Sequence, residues 1–165
     1  MDTSDEFDSG LAEALPRLRR FAHALSRDPS DADDLAQQAV ERALRSRAQW
    51  EPGTRLDAWL YRIMRNLWID EGRSRSRKAK VERPPGHGEN VGFDPRPAQD
   101  AAIDLARVMV TMERLPDEQR EVVALILIEG FGYREAAELL DLPIGTVSSR
   151  LVRGRTALLA MLGEA

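Results

Sequence analysis

A stretch rich in proline and glycine, residues 81–100, constrains the fold more than any other feature of the sequence. It contains four prolines and three glycines, a density that no helix can sustain. We therefore expect a flexible linker there. The linker would separate an N-terminal domain over residues 10–80 from a C-terminal domain over residues 101–165, both large enough to fold as small helical units.

Both parts show apolar residues at helical spacing, and neither shows the sustained alternation of a strand. The first helix is expected over residues 11–25 and to end at Asp28-Pro29. Ser30 and Thr54, each followed three residues later by an acid, are predicted to cap the next two helices. In the C-terminal part, helices are expected over residues 103–112, 117–128, 132–140 and 146–162. The predicted fold class is therefore all-α, with two small helical domains.

Several classes of protein are excluded by composition. The chain has no cysteine, which removes disulfide scaffolds, thiol nucleophiles and cysteine metal sites. His23 and His87 are far apart and leave little for a histidine metal centre. No apolar run approaches the roughly 18–20 residues that a membrane span requires, and the acidic N-terminus lacks the order of a secretory signal. We expect a cytoplasmic protein that uses no cofactor, binds no metal, inserts in no membrane and catalyses no reaction.

The formal net charge of −4 conceals a strong segregation of charge. Residues 45–80 carry an excess of bases, and a smaller excess recurs over residues 142–165, whereas residues 1–44 and 101–141 are acidic. Such a chain could bind nucleic acid on its basic parts while an acidic face contacts a protein. An ordinary solvated surface would show the same charges, so charge alone does not decide between the two.

The last two predicted helices fit a helix-turn-helix, because a short turn at residues 141–145 joins them. One face of the last helix is apolar and is expected to be buried: Val147, Leu151, Gly154, Leu158 and Leu162. Gly154 on this face predicts a close approach by a neighbouring helix. Hydroxyls and arginines lie on the other side and at the start of the helix, and can anchor phosphates and read base edges. The candidate DNA-reading residues are Thr146, Ser148, Ser149, Arg150, Val152 and Arg153. A merely polar outer face is the alternative.

Segments in both parts of the chain resemble those of a known family. Three C-terminal segments are similar to region four of bacterial sigma-70 family factors, in the compact extracytoplasmic-function group: residues 115–122 (LPDEQREV), 132–140 (GYREAAELL) and 143–151 (PIGTVSSRL). Two N-terminal segments resemble region two of the same group: residues 33–37 (DDLAQ) and 59–70 (WLYRIMRNLWID). The resemblance covers about residues 10–80 and 101–162, in the order of the family.

The resemblance implies a sigma factor that binds core RNA polymerase and directs promoter-specific initiation. Region two would bind the polymerase and open the duplex near −10, and region four would read an element near −35 in double-stranded DNA. An anti-sigma factor is implied as a further partner. The implied polymerase-binding residues lie on one acidic helix: Asp33, Asp34, Gln37, Gln38 and Glu41. A solvated acidic face is the alternative for that helix.

Opening a duplex requires an aromatic surface, polar groups that read base edges, and cations for the backbone. By similarity, a flipped −10 base is received by the loop that contains Trp50, Glu51, Gly53, Thr54 and Arg55. Asn66 could read a base edge. The phosphates would be bound by Arg62, Arg65, Arg73 and Arg77. We expect Trp59 in the core, whereas Trp50 could either pack or face a base.

Two other functions are alternatives to that of a sigma factor. The chain could be a helix-turn-helix regulator that never joins polymerase, but residues 30–80 would then have no purpose. It could also be a sigma-like decoy that sequesters an anti-sigma factor, as occurs in fusions to phosphoreceiver domains. No receiver domain fits in 165 residues, which disfavours the second reading.

Overall fold

A computed structural model describes residues 2–79 and 100–163, with side chains placed for residues 2–72 and 104–163. Over these residues the chain forms helices and no strand, so the prediction of an all-α fold is confirmed. The helices are α1 (Thr3–Leu25), α2 (Pro29–Arg45), α3 (Leu56–Ala79), α4 (Asp100–Met112), α5 (Asp117–Val123), α6 (Tyr133–Leu140) and α7 (Ile144–Gly163). The predicted linker, residues 81–100, lies outside the described residues except at Asp100.

Helices α1, α2 and α3 pack into a bundle around Leu18, Phe21 and other apolar side chains of α1. Helix α1 begins at Thr3, well before the expected residue 11, because Phe7 is buried against two tryptophans from the region before and within α3. The buried side of α2 is mostly alanine, which lets its neighbours approach closely. Leu44, near the end of α2, is apolar but 45% exposed.

The predicted helix cap at Ser30 is wrong by two residues. Asp28 caps α2, because its carboxylate accepts hydrogen bonds from the backbone N–H groups of Ser30 (2.8 Å) and Asp31 (3.2 Å). Proline is favoured at the first helical position, since it has no N–H to satisfy, and Pro29 occupies that position here. Thr54, the other predicted cap, lies in the loop before α3, where its hydroxyl donates to the carbonyl of Glu51 (2.5 Å).

Helices α4 to α7 form the second part. Helix α5 continues as a π-helical segment, Ala124–Ile128, where the sequence predicted one uniform helix. Helices α6 and α7 form the expected helix-turn-helix, and the turn between them places Asp141 in the left-handed region (φ 53°). The predicted inner face of α7 is buried apart from Leu162, which is half-buried. A Cβ on Gly154 would lie 2.8 Å from Cγ2 of Val123, so the close helix approach is present.

The two parts also pack against each other. Helix α1 contacts α4, α5 and the π-helical segment, and α3 contacts α6. One such contact joins Arg27 to the carbonyl of Glu113 (2.9 Å). In the part of the chain that the structure describes, no helix combines the length and apolar character that crossing a membrane requires.

Candidate polymerase and nucleic-acid interfaces

The acidic side of α2 is fully presented to solvent. All five predicted polymerase-binding residues are exposed: Asp33, Asp34, Gln37, Gln38 and Glu41. Four of them have polar partners: His23 Nε2 lies 3.0 Å from Asp33, Gln37 donates to Glu41 (3.4 Å), and Gln38 donates to Glu71 on α3 (3.2 Å). The buried alanines on the other side hold this face outward. The helix can therefore present carboxylates and amides together to one basic partner surface.

The loop before α3 is exposed at all but one of its predicted base-contacting positions. Glu51, Gly53, Thr54 and Arg55 are exposed, and Gly53 has a positive φ of 87° that favours glycine. Trp50 is the exception. Its ring lies in the core at 5% exposure with its centroid 5.9 Å from that of Phe7, so it offers no aromatic surface to a base in this conformation.

A cavity of about 140 Å³ lies between the end of α2, the short 3₁₀ turn Arg47–Gln49 and the side of α3 that faces α2. Its apolar lining comes from Trp59, Ile63 and Leu67. Its polar lining comes from Arg42, Ser46, Gln49, Asn66 and Asp70. A protein cavity of about 150 Å³ can hold one benzene molecule, so this cavity has the size of a single aromatic ring.

Of the polar groups in this cavity, sequence reasoning found only Asn66. Arg42, Ser46 and Gln49 come from another helix and its following turn, and they meet Asn66 only because α2 packs on α3. No local spacing in the sequence signals that meeting. Trp59 is half-buried with its ring 6.1 Å from that of Phe7, in agreement with the expected core packing.

The arginines of α3 and its preceding loop already have partners in the second part of the chain. Arg62 is exposed and donates to the carbonyl of Glu138 (3.0 Å). Arg65 is half-buried and donates to both carboxylate oxygens of Glu121 (3.1 and 3.4 Å). Arg55 forms an ion pair with Glu135. The remaining two predicted phosphate contacts, at positions 73 and 77, lie on α3 beyond the residues whose side chains are described.

Helix α7 presents its predicted DNA-reading face outward. Ser148, Ser149, Val152 and Arg153 are exposed, and the guanidinium of Arg153 donates back to the carbonyl and hydroxyl of Ser149 (3.3 and 3.4 Å). The other two predicted residues, Thr146 and Arg150, are half-buried. Arg150 lies on the flank of the helix, with its guanidinium 3.8 Å from the carboxylate of Glu118.

Comparison with known proteins identifies the family. Residues 11–78 match the model for sigma-70 region 2, and residues 105–158 match the model for sigma-70 region 4. The ECF RNA polymerase sigma factor EcfG of Rhodopseudomonas palustris (strain TIE-1) is 35% identical over 98% of this chain and 88% of its own length. The chain belongs to the ECF group of RNA polymerase sigma factors. The ECF sigma factor SigE of Mycolicibacterium smegmatis is 36% identical over 92% of this chain and 60% of its own.

Solved structures agree with this assignment. The sigma factor RpoE of Bartonella quintana, solved in complex with the anti-sigma factor NepR, matches with a TM-score of 0.84 and 34% identity, over 96% of this chain and 97% of its own. CnrH, solved with the cytosolic domain of CnrY, matches with a TM-score of 0.69 and 27% identity, over 98% and 90%. The predicted family and sigma-factor function are confirmed, and neither rival reading is favoured.

In this sigma factor, one buried carboxylate joins region 2 to region 4. The side chain of Glu129 is fully buried. Arg20 donates to its two oxygens at 2.8 and 2.9 Å, and the Tyr61 hydroxyl donates at 2.7 Å. Burial raises the pKa of Tyr61, and the hydrogen bond to Glu129 raises it further. The hydrogen bond to Glu129 likewise raises the pKa of Arg20. The Tyr61 hydroxyl therefore stays protonated and Arg20 stays charged at neutral pH.

A second buried carboxylate lies closer to the C-terminal half of α3. Glu121 has a side-chain exposure of 5% and pairs with Arg65, at 18%. Burial raises the pKa of Glu121, and the hydrogen bond and charge of Arg65 oppose that shift. The sequence did not reveal either carboxylate as a contact between the regions, since Glu121 lies in a segment noted only for its family resemblance and Glu129 follows the end of the helix predicted over 117–128. The available signal was Tyr61, a residue with a polar tip among the inward-facing residues of α3.

Proposed function

We propose that this sigma factor binds core RNA polymerase through the exposed side of α2, with Asp33, Asp34, Gln37, Gln38 and Glu41 as its contacts. The exposure of all five side chains supports this role, as does the family membership of the chain. An acidic helix face of this kind suits a basic partner surface, because complementary charge speeds and orients protein association.

We infer that the cavity beside Asn66 receives a base from the melted −10 strand. This cavity is the observation that carries the proposal, because it combines the size of one aromatic ring with Trp59 on one side and several polar groups that can contact base edges. The adjoining loop, with Glu51, Gly53, Thr54 and Arg55, would guide the strand. The Trp50 ring takes no part in this site while it lies in the core.

Region 2 would also bind strand phosphates through the arginines predicted for that purpose: Arg62, Arg65, Arg73 and Arg77. Region 4 would enter the major groove of the −35 element with the exposed face of α7, where Ser148, Ser149, Val152 and Arg153 can reach base edges. Thr146 and Arg150, at the start and flank of that helix, would anchor phosphates.

We propose further that an anti-sigma factor regulates this chain. Its two regions match RpoE over nearly the whole chain, and RpoE was solved bound to an anti-sigma factor. Region 2 would extend over residues 10–80 and region 4 over residues 101–165, with a linker at 81–100. The protein would act in the cytoplasm, where polymerase and promoters are found, and would add sequence preference to the polymerase without catalysing a reaction itself.

The base-binding proposal is tested with a promoter that carries 2-aminopurine in the −10 element. Fluorescence of this base rises when it leaves the stack. Holoenzyme with Asn66→Ala should give a smaller and slower rise on duplex promoter, and premelted promoter should restore much of its activity. Asp104→Ala, on the exposed surface of α4, is the control and should behave as the unchanged protein. A normal signal from Asn66→Ala on duplex promoter would contradict the proposal.

The polymerase contact is tested separately by the affinity of fluorescently labelled protein for core polymerase. Asp34→Ala should weaken binding, and the same Asp104→Ala variant should not, although each removes one negative charge. Equal affinities of the two variants for core polymerase would contradict the proposal that α2 is the docking face.

A further inference from the structure

Beside the aromatic contact of Tyr61 with Phe131, the side-chain contacts between the two regions include acids of region 4 that face arginines of region 2. We call Glu121, Glu129 and Glu135 the carboxylate clasp. Their partners in region 2 are Arg65, Arg20 and Arg55, respectively. Two of these pairs, those of Arg65 and Arg55, join the basic stretch of residues 45–80 to the acidic stretch of residues 101–141, and Arg20 comes from α1.

Two members of the clasp are buried ion pairs of good geometry. Glu129 accepts three short hydrogen bonds, two from Arg20 and one from Tyr61, and Arg17 lies 3.6 Å from it. Such pairs add little net stability, because the charges lose hydration when they are buried. Separating the regions intact returns both partners to water, whereas removing one partner leaves a buried charge. An interface of this composition can open and close, and it specifies one closed arrangement.

Two of the paired arginines belong to the site proposed for the −10 strand. Arg55 lies in the loop before α3, and Arg65 lies on α3 one residue before Asn66. A guanidinium binds a carboxylate and a phosphate through the same pair of N–H donors. Glu121 occupies this pair of donors on Arg65, so a strand phosphate cannot. On Arg55 the Nε and Nη2 donors bind Asp57 of region 2, and Glu135 pairs with the remaining Nη1 group. Arg62 is engaged as well, by the carbonyl of Glu138.

We propose that the carboxylate clasp is an autoinhibitory contact, in which region 4 carboxylates occupy the region 2 arginines that the −10 strand requires. The free chain then holds its own −10 site closed, and promoter strands bind after region 4 has moved away. This inference rests on the −10 part of the proposed function. The apparent affinity of the free chain for single-stranded DNA equals the affinity of the open form multiplied by the fraction of molecules that are open.

The test uses free protein and two readouts. Because the chain has no cysteine, two exposed alanines, one in each region, can be changed for labelling: Ala12→Cys on α1 and Ala160→Cys on α7. Energy transfer between the two dyes reports the separation of the regions. Fluorescence anisotropy of a labelled pool of random single-stranded DNA, about 12 nucleotides long, reports access to the strand-binding site.

Glu121→Gln is compared with Asp104→Asn, since each removes one negative charge from region 4. Glu121→Gln should lower the energy transfer and raise the affinity for single-stranded DNA by about 5- to 10-fold, within the range typical of coupled sites. Asp104→Asn should leave the energy transfer unchanged and alter the affinity by less than about twofold, as expected for a distant screened charge. Glu135→Gln, at an exposed position that tolerates the change, should shift both readouts in the same direction as Glu121→Gln.

Unchanged energy transfer in both clasp variants would overturn the proposal. So would an equal rise in DNA affinity in the clasp variants and in Asp104→Asn, since the effect would then be general charge. The proposal that the −10 strand binds beside Asn66 can fail separately. In that case holoenzyme with Asn66→Ala would give a normal 2-aminopurine signal, whether or not the clasp variants behave as expected.

Discussion

Replacement of Gly154 by alanine should destabilise the protein, although alanine is the better helix former. Two opposing terms set the magnitude. In a helix interior, alanine is favoured over glycine by about 1 kcal/mol. Against this, the new Cβ would lie 2.8 Å from Cγ2 of Val123 and 3.2 Å from Cβ of Gln119. Val123 is buried at 1% exposure, and a valine in a helix has essentially one χ1 rotamer, so it cannot turn away.

Relief of this overlap requires α7 to move away from α5, and overpacking of that kind costs roughly 1–3 kcal/mol. The net effect of Gly154→Ala is then a loss of about 1 kcal/mol in the free energy of unfolding. Val123→Ala opens the space into which the new methyl group would fit. The double variant should therefore lose less stability than the sum of the two single variants, by about 1–2 kcal/mol.

Urea unfolding followed by circular dichroism, on the two single variants and the double variant, measures this coupling. Gly72→Ala is the matched control, since Gly72 lies in α3 with no atom within 4 Å of an added Cβ, and it should stabilise the protein by up to about 1 kcal/mol. The reasoning is refuted if Gly154→Ala stabilises the protein as much as Gly72→Ala does, or if the effects of Gly154→Ala and Val123→Ala are simply additive.

Two further predictions concern DNA binding and pH. Arg153→Ala should lower transcription from a −35-dependent promoter, by the equivalent of about 1–3 kcal/mol for a lost base contact, without weakening core polymerase binding. The control is Arg114→Ala, which changes another exposed arginine of region 4. Equal loss of transcription and of core binding in Arg153→Ala would contradict the assignment. The pKa of Asp57 is lowered: burial would raise it, but hydrogen bonds from Arg55 and the backbone N–H of Ala58 outweigh that effect. Its ionised form therefore stabilises the fold above its unfolded pKa of about 3.9, and this contribution is lost as pH falls through the lower folded value. The stability lost in Asp57→Asn, measured by urea unfolding, should accordingly be largest at neutral pH and shrink below about pH 4; a loss that stays constant with pH would contradict this cause.

Sequence periodicity predicted the helices and their inner faces well, because those properties are local. The face of α7 that begins at Val147 is buried as the 3.6-residue period requires, and Gly154 lies where two helices approach. The errors also have local causes. The cap at Asp28 replaced the predicted Ser30 because a proline at the first helical position moved the start of α2. Helix α1 extends back to Thr3 because Phe7 packs against Trp50 and Trp59, which are distant in sequence, and helical periodicity does not predict such a contact.

The candidate site could be predicted only in part. The exposed face of α2 and the exposed face of α7 follow from periodicity, once the buried side is known. The cavity beside Asn66 could not be predicted, because three of its polar groups come from another helix and the turn that follows it. Burial of the Trp50 ring depends on Phe7, far away in sequence. The pairing of Glu129 with Arg20 depends on how the two regions pack, and no local pattern encodes that.

We expect this chain to supply promoter recognition and strand opening to RNA polymerase. The most direct measurement is run-off transcription with purified core polymerase, combined with gel filtration of the mixture and mapping of start sites. We expect the protein to elute with core polymerase, and transcripts to begin at discrete promoters that core polymerase alone does not use. Failure to elute with core polymerase in the absence of any inhibitor, or transcripts identical to those of core polymerase alone, would contradict it.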